Sequence, residues 1–530
     1  MGAHRRENKK QTANNRKKIR MMYRVAVAGL IVILLEVIWL CRGGDGEWEK
    51  KILDKEGIEN MILLHFDIDD EEEVAEPVIF PSEDTKIRVL LKTTGFRSLY
   101  HEEVKIESDC KYTLYRSGEV EGVDFEPQDI LSISSDSNLW NEYNIIKIVP
   151  EDYGKKLTLL SLQRSYGPPV YRGTLEVHKT SQGLLVINEL NLEEYLYGIV
   201  PSEMPASYPM EALKAQAISA RTFAYRFILY PGYPAVNAHL DDSTTYQVYN
   251  NITEQQRTNR AVDETACRIL YTGEGSLAES YYYSTSCGLG ADGDVWGKSD
   301  YPVYLEGKFI NNKYMKNYIN KQKNGSLKQR NVSYNNEKKF SEYLKEGNPQ
   351  DFEKGENWYR WEYTVENINT GLLYDKLQSA YESDPDSVLT LINEEYCHEE
   401  ISDFGIVLDM EITERGRGGN ARALLITTDQ NTFCVRGDNT IRRVLLQENH
   451  EFVLQDNSVG IQSSLLPSAF FVLNTGKVCS NVVGYTLVGG GLGHGVGMSQ
   501  NGAKHMAAAG YKAEEILGYF YNDCIIYEGG

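Results

Sequence analysis

The sequence lacks any pair of cysteines at the Cys-x-x-Cys spacing, although it contains eight cysteines. Pairs at that spacing are typical of zinc ribbons and thioredoxin-like redox centres, so both kinds of site are excluded. The glycine-rich run near the C terminus also lacks a G-x-G-x-x-G pattern and a GK(S/T) close, which excludes a phosphate-binding loop. The cysteines are scattered and their spacing assigns no disulfide pairing: they lie at positions 41, 110, 267, 287, 397, 434, 479 and 524.

Positive charge is scarce over most of the chain, since 76 acidic residues outnumber 55 lysines and arginines and give a net charge of −21. The first 24 residues are the exception, with nine basic residues against Glu7 and a local net charge of about +8. The remainder therefore carries about −29. A chain with that charge repels nucleic acid, so we predict no nucleic-acid partner.

One long apolar run is present, at residues 21–40, with Glu36 as its one acid. About 20 residues at about 1.5 Å per residue are enough to cross a bilayer as a helix. Because the basic residues precede it, we predict a single-pass cell-membrane protein with its N terminus in the cytoplasm and the rest outside. A cleaved signal peptide is the alternative, but no small-x-small site follows and Leu40 before Cys41 is too large for a lipoprotein cleavage box.

The patterns of strand and helix segments along the chain predict an α+β protein, with a transmembrane helix and a small β-rich domain before a larger domain of antiparallel strands and one long helix. A polar insertion is expected at 306–400, a hairpin at 171–188, and strand patterns at 411–425 and 432–446 around the turns GRGGN and RGDN. The basic cytoplasmic tail, transmembrane helix, acidic stalk, small β-rich domain and larger domain are predicted at 1–20, 21–41, 42–77, 78–170 and 171–530.

Residues 191–229 (NLEEYLYGIVPSEMPASYPMEALKAQAISARTFAYRFIL) predict a turn followed by a helix, because the run 210–228 contains neither Gly nor Pro. Lys214 and Arg221 are seven residues apart and therefore project from the same side of that helix. Glu203 lies in a PSEMP turn whose two prolines restrict the backbone. A carboxyl group held in this way is what glycosidic chemistry requires, and a solvated loop acid is the alternative.

This stretch resembles, nearly word for word, the opening of the stage II sporulation protein D family. A second stretch at 489–523, containing GHGVGMSQ and an EIL-x-x-(F/Y)Y close, is similar to that family's other hallmark. Between the two, the segments DDSTTYQVY, SYYYSTSCGLGADGDVWG, ITERGRGGNAR and RGDNTIRRVL also match the family's layout. The resemblance covers 171–530 apart from the insertion.

The resemblance implies a lytic transglycosylase that cleaves the MurNAc–GlcNAc bond of peptidoglycan during sporulation and engulfment, with Glu203 as the catalytic acid. One carboxyl group suffices if it protonates the leaving oxygen and then takes the proton of the sugar's C6 hydroxyl, giving a 1,6-anhydro product. Implied partners are peptidoglycan glycan strands, a sporulation amidase and a membrane partner, the stage II sporulation proteins P and M. The alternative is a non-catalytic cell-wall-binding enhancer of a peptidoglycan amidase.

Further substrate-binding residues are expected around Glu203. Lys214 and Arg221 match the family's important basic positions, and we expect them to hold substrate carboxylates while approaching Glu203 only loosely. His494 is flanked by glycines, and capping of its own loop is its alternative role. Ser499 is a natural N-cap for the following helix. The remaining candidates are Ser284, Ser286, Tyr304 and Gln500.

No cofactor or structural metal is predicted. Some family members carry a Cys-x4-His-Cys pattern that is similar to a zinc-binding motif. In this sequence Leu240, Thr245 and Tyr246 stand at those three positions, and His239 is the one possible ligand nearby. Four-ligand zinc cannot be built from these residues.

Overall fold

The computed structural model describes residues 80–528, except 153, 297–300, 325–332 and 402–403. The predicted cytoplasmic tail, transmembrane helix and acidic stalk all lie outside the described residues. Within the described ranges, no helix combines the length and the apolar character needed to cross a bilayer. The membrane anchor therefore stays a prediction.

The first part of the described chain is built from strands. β11 (Leu240–Asp241) joins six earlier strands in a seven-stranded sheet, and a four-stranded sheet lies beside it. The sheet orders are β11-β1-β10-β9-β6-β3-β4 and β5-β2-β7-β8. The ten earlier strands are β1 (Lys86–Leu91), β2 (Glu103–Ser108), β3 (Tyr112–Arg116), β4 (Val123–Phe125), β5 (Leu131–Ser134), β6 (Ile145–Pro150), β7 (Leu157–Leu159), β8 (Val170–Tyr171), β9 (Thr174–Thr180) and β10 (Gly183–Asn191).

The predicted domain boundary at 170 lies inside these sheets. β1 pairs antiparallel with β10, and β6 pairs antiparallel with β9. Side chains from both sides of the boundary, such as Ile106 and Val177, are fully buried in one core. β9 and β10 form the predicted hairpin, in which Gly183 pairs with Thr180.

Helices pack against this core. The predicted long helix is confirmed as α2, whose small residues are buried and let neighbouring helices approach closely. Helix α1 begins directly after β10, where the Asn191 side chain accepts a hydrogen bond from the Glu193 N–H at 2.8 Å. The helices are α1 (Leu192–Glu203), α2 (Met210–Leu229), α3 (Gln256–Asp263), α4 (Asn312–Asn324), α5 (Glu337–Glu346), α6 (Thr370–Ser383), α7 (Asp438–Leu445), α8 (Gln500–Ala508) and α9 (Ala513–Phe520).

A second core forms between two five-stranded sheets. Their strand orders are β21-β20-β14-β23-β22 and β16-β15-β19-β18-β17. Two short pairs, β12 with β25 and β13 with β24, belong to the first core's side. The strands are β12 (Ile269–Thr272), β13 (Tyr282–Tyr283), β14 (Trp361–Val365), β15 (Val388–Ile392), β16 (Glu395–Cys397), β17 (Val407–Arg415), β18 (Ala421–Thr428), β19 (Thr432–Arg436), β20 (Glu451–Leu454), β21 (Val459–Ile461), β22 (Phe471–Val478), β23 (Asn481–Gly489), β24 (Met498–Ser499) and β25 (Cys524–Tyr527).

Two sequence expectations change in this half, although the predicted α+β class is confirmed. The polar insertion 306–400 is divided between the cores: Phe340 packs in the first, and the chain from Trp361 onward packs in the second. At 432–446 the predicted turn at RGDN is present, since the chain turns at Gly437, but the strand predicted beyond it is wrong because the chain continues as α7. The buried apolar residues of α7 are Ile441, Val444 and Leu445, whose spacing is helical.

Candidate active site

Glu203 is the last residue of α1 rather than part of a free turn. Pro201 lies inside the last turn of that helix, where its ring removes one backbone donor. The Met204 N–H still donates to the Val200 carbonyl at 2.9 Å, and the Ser202 hydroxyl donates to the Gly198 carbonyl at 2.7 Å. The predicted PSEMP turn is therefore wrong in its first half, but the carboxyl group is held at a helix end, as a fixed acid requires.

The Glu203 carboxyl group lies among uncharged hydrogen-bonding groups. Its Oε1 accepts a hydrogen bond from the Val248 N–H at 3.0 Å, and the Gln500 side chain gives a second. Burial raises the pKa of Glu203 to about 7, and these two hydrogen bonds only partly oppose that effect. The C-terminal end of a helix disfavours negative charge and acts in the same direction. Near neutral pH, the group can therefore both donate and accept a proton.

Two glutamines and two tyrosines complete this surrounding. Gln247 donates to the Tyr282 hydroxyl at 3.0 Å and accepts from the Tyr195 hydroxyl at 3.2 Å. Gln216 accepts from Gln500 at 3.4 Å, and its side chain also lies against the Tyr282 hydroxyl. Sequence reasoning missed both Gln216 and Gln247, although a glutamine between Ala215 and Ala217 on a small-residue helix face was a usable signal.

Arg221 is placed where it cannot reach a ligand. Its side chain is fully buried, and Nε and Nη2 pair with the two Glu193 oxygens at 2.7 and 2.6 Å. Nη1 donates to the Arg268 carbonyl at 3.1 Å. The predicted substrate-binding role conflicts with this arrangement, because every guanidinium nitrogen is used inside the protein.

Lys214 is also paired, but near the surface. Its Nζ lies 2.6 Å from Glu264 Oε2 and 3.6 Å from Glu211 Oε1, and 21% of its side chain is exposed. Lys214 and Arg221 both pair with acids of the protein, whereas substrate carboxylates were expected as their partners. Neither is among the groups that set the Glu203 pKa.

The glycine-rich loop positions His494 beside the site. Its Nε2 donates to the Tyr282 carbonyl at 3.0 Å, and its Nδ1 accepts from the Val496 N–H at 3.1 Å. Burial lowers the pKa of His494 to about 4, so the ring is neutral at pH 7. His494 therefore caps its own loop, which is the alternative role that the sequence left open for it. Gly497 has a φ of +75°, and a Cβ there would lie 2.0 Å from the Tyr281 carbonyl oxygen, so only glycine fits.

Ser286 and Ser499 face a second buried carboxyl group, Glu353. The Ser286 N–H and the Ser499 hydroxyl donate to Glu353 Oε1 at 2.9 and 2.7 Å, and the Ser286 hydroxyl contacts Oε2. Burial raises the pKa of Glu353 to about 7. Ser499 is the predicted N-cap of α8, since its Oγ accepts from the Gly502 N–H at 3.2 Å. Sequence reasoning missed Glu353, because it lies in a polar stretch whose acids read as solvated.

β13 separates the two carboxyl groups. Successive side chains of a strand point to opposite faces, and Tyr282 lies near Glu203 while Tyr283 lies near Glu353. Ser284 lies at the end of this strand with its hydroxyl 3.1 Å from that of Thr285. The structure therefore brings Gln500 against Glu203 and His494 against the Tyr282 backbone, whereas Ser286 and Ser499 contact Glu353.

Two further residues lie away from this site. The Tyr304 hydroxyl accepts from the Glu279 N–H at 2.8 Å, and the ring is buried. His239 Nδ1 accepts from the Arg88 N–H at 3.0 Å. Among the described residues, no group of three or more His, Cys, Asp or Glu side chains is placed to hold a metal ion.

Comparison with protein families finds matches to two separate segments of the described chain. Residues 180–271, which contain Glu203, Gln216 and Val248, match the family described as Stage II sporulation protein. This segment is therefore the part of the chain that is similar to the stage II sporulation protein D family. Residues 303–497, which contain Glu353 and His494, match a family described as a domain of unknown function, DUF8618.

Curated relatives agree with the sporulation protein D assignment. An uncharacterized protein of Brachyspira hyodysenteriae is 39% identical over 120 residues, covering 22% of this chain and 32% of that protein. The amidase enhancer of Bacillus subtilis is 24% identical over 331 residues, covering 62% and 39%. Stage II sporulation protein D of Bacillus subtilis is 35% identical over 136 residues, covering 23% and 38%. The chain thus spans about a third to two fifths of the length of these relatives.

Proposed function

We propose that this chain is a peptidoglycan lytic transglycosylase of sporulation, anchored in the cell membrane by residues 21–41, with Glu203 as its acid and base. The sporulation protein D segment and the relatives named for sporulation and for amidase enhancement support a sporulation-related cell-wall role. The observation that carries the finer proposal is the burial of the Glu203 carboxyl group among uncharged groups, which raises its pKa to about 7.

Glu203 serves both halves of the reaction. The neutral carboxyl group donates its proton to the bridging oxygen of the MurNAc–GlcNAc bond as the C1–O bond breaks and positive charge develops at C1. The resulting carboxylate takes the proton of the C6 hydroxyl of the same sugar, whose oxygen bonds to C1. The products are a free hydroxyl end and a 1,6-anhydro end, and Glu203 returns to its protonated form. No water is consumed.

The groups around Glu203 suit an acylated amino sugar. Carboxamides both donate and accept hydrogen bonds, so Gln500 is placed to hold an N-acetyl group beside the carboxyl. The buried Gln216 side chain accepts from Gln500 and so supports that carboxamide from behind. Because these groups are uncharged, they leave the pKa of Glu203 raised. They would recognise the sugar by hydrogen bonds alone.

Digestion of purified peptidoglycan glycan strands tests the proposal. The wild-type chain should release fragments with 1,6-anhydro-muramyl ends, detected by mass spectrometry, and Glu203→Gln should release none because it can neither give nor take the proton. Glu142→Gln is the matched control: it makes the same substitution at an exposed acid that is distant from Glu203 in sequence, and this variant should cleave normally. Equal yields of anhydro ends from wild type and Glu203→Gln would overturn the assignment of Glu203.

A second candidate is enhancement of a peptidoglycan amidase without cleavage of glycan. It is favoured by the long match to the amidase enhancer, which covers 62% of this chain and so extends beyond the sporulation protein D segment. Adding a sporulation amidase, the proposed stage II sporulation protein P, to the same digestion separates the two functions. Faster release of stem peptides with no anhydro ends, in wild type and Glu203→Gln alike, would favour the enhancer.

A further inference from the structure

The buried carboxyl group of Glu353 takes no part in the proposed reaction, yet it lies between two segments that lead to Glu203. Strands β13 and β24 pair in parallel, with Tyr283 opposite Ser499. Ser286 lies shortly after β13, Ser499 ends β24, and both serines contact Glu353. One carboxyl group therefore holds the ends of both strands together.

The hydroxyl protons of both serines are committed to Glu353. Ser286 Oγ accepts from the Gly288 N–H at 3.1 Å, and Ser499 Oγ accepts from the Gly502 N–H at 3.2 Å. Because each oxygen already has a backbone donor, each hydroxyl directs its single proton to Glu353. The donors that face Glu353 favour its carboxylate form, which burial opposes. A glutamine of the same size would instead place an NH₂ group against one of these donors.

Helix α8 transmits the position of Ser499 to Glu203. Ser499 is the N-cap of α8 and Gln500 is its first residue. The Gln500 side chain makes a hydrogen bond to Glu203. A Cβ at Gly502 would lie 3.2 Å from Glu353 Oε2, so the glycine leaves room for the carboxylate at this helix end. The N-terminal end of a helix favours negative charge, which suits a carboxylate placed there.

The chain that carries Glu353 is itself held in place. Two residues earlier, Asp351 Oδ2 accepts from the Tyr343 and Tyr359 hydroxyls at 2.6 and 2.8 Å. Asn311 Nδ2 donates to the other Asp351 oxygen at 2.8 Å. A residue that positions another must have a fixed base, and these buried hydrogen bonds supply one.

We propose that Glu353 is a positioning residue for the reaction at Glu203, and that it acts through Ser499 to hold Gln500 against the Glu203 carboxyl group. Glu203 lies in the matched segment 180–271 and Glu353 in the matched segment 303–497, so the second segment supports the site in the first. The effect on catalysis rests on the proposed function, but the effect on the Glu203 carboxyl group does not.

An NMR titration of the full chain, labelled with carbon-13 at the glutamate side-chain carboxyls, tests this role. The signal that is missing in Glu203→Gln belongs to Glu203. The Gln500 hydrogen bond lowers the pKa of Glu203 against the effect of burial. Glu353→Gln, which releases Gln500, should therefore move the Glu203 titration midpoint to higher pH. Direct loss of a nearby negative charge would lower the midpoint instead, so the sign separates the two explanations.

Cleavage gives a second readout of the same variant. The rate of anhydro-end formation should fall about ten- to a hundred-fold in Glu353→Gln, because a small misplacement of a catalytic group is enough for such a loss. The titratable groups near Glu353, whose own ionisation the titration must allow for, are Glu356, Tyr208, Tyr283 and Cys287.

Glu356→Gln is the matched control. Glu356 lies in the same segment and pairs with Lys504 and His505 at 2.7 and 2.6 Å, so it supports α8 without contacting Ser499. This variant should keep the wild-type midpoint and rate. Ser499→Ala removes the hydroxyl that joins Glu353 to α8, should reproduce the upward shift, and decides the test if Glu353→Gln fails to fold. The double variant should shift no further than either single one, because both changes break the same hydrogen bond.

A Glu203 midpoint that stays the same or falls in both Glu353→Gln and Ser499→Ala would overturn the proposal. An equal upward shift in Glu356→Gln would also overturn it, because general loosening of α8 would then explain the effect. If the wild type forms no anhydro ends but Glu353→Gln still raises the midpoint, only the proposed function is contradicted. Normal cleavage with unmoved midpoints contradicts only the positioning role of Glu353.

Discussion

Glu203 and Glu353 are both buried carboxyl groups whose pKa burial raises to about 7, yet their surroundings differ. Glu353 is fully enclosed and takes three hydrogen bonds from Ser286 and Ser499, so it joins two loops. Glu203 keeps a partly accessible surface and fewer donors. The shift in pKa alone would not distinguish the two; access to a ligand does.

Replacing Glu203 should change how stability depends on pH. The pKa of Glu203 is about 7 in the folded chain and about 4.3 when unfolded. Because the folded pKa is the higher one, ionisation favours the unfolded chain, and the wild type loses stability as pH rises from about 4.5 to about 7. Glu203→Gln removes this loss, so its free energy of unfolding should improve relative to wild type by about 1–3 kcal/mol between pH 4 and pH 8.

Urea unfolding of both proteins at pH 4, 6 and 8 measures that difference. Glu142→Gln, at an exposed acid, should show no such pH-dependent gain. A stability difference between Glu203→Gln and wild type that stays constant across the three pH values would mean that the carboxyl group ionises as freely in the folded chain as in the unfolded one.

At the scale of elements, α1 and α2 are joined by the Glu193–Arg221 pair. Arg221→Ala should lower the free energy of unfolding by about 3–5 kcal/mol, because it leaves a largely buried carboxylate without its partner. Lys214→Ala should cost less than about 1 kcal/mol, because its pairs are near the surface. Urea unfolding compares the two variants. Similar small losses in both, with weakened glycan binding in Arg221→Ala, would restore the ligand role expected from the sequence.

Elements set by local pattern were predictable from the sequence. The helix α2, the β9–β10 hairpin and the Ser499 cap follow from residues within about one turn or one hairpin of each other. Helix α7 was not predicted although its apolar residues have helical spacing, because it is only eight residues long and follows a strand after one glycine. The partners of Arg221 were not predictable either, because Glu193 and Arg268 are close to it only after folding.

At the scale of the whole molecule, the glycine-rich loop joins the two cores. Trp361 packs in the second core and its Nε1 donates to the Gly491 carbonyl at 3.0 Å, while the same loop carries His494 to the first. Trp361→Phe should lower the cleavage rate about ten- to a hundred-fold through misplacement of the loop, and lower stability by only about 1 kcal/mol.

The rate of anhydro-end formation and urea unfolding together check that expectation. Trp358→Phe is the matched control, since Trp358 holds Gly491 through its backbone carbonyl, which the substitution keeps. Equal rates in Trp361→Phe and wild type would show that the loop keeps its position without the second core.

Contacts between residues that are distant in sequence were the hardest feature to predict. The acid itself, Glu203, and its neighbour Gln500 were both expected to act in one site, and the structure places them in contact. The sequence did not predict that Glu353 lies on the other side of the two-residue strand β13. No local pattern indicates which face of a strand a distant loop packs against.

The hydrogen bond between Glu203 and Gln500 links residues that are synthesised about 300 positions apart. A ribosome must therefore finish most of the chain before the acid acquires its final surroundings. Nascent or prematurely terminated molecules that end before Gln500 would carry the acid without its second donor, and so without the hydrogen-bonded surroundings that the complete fold gives it.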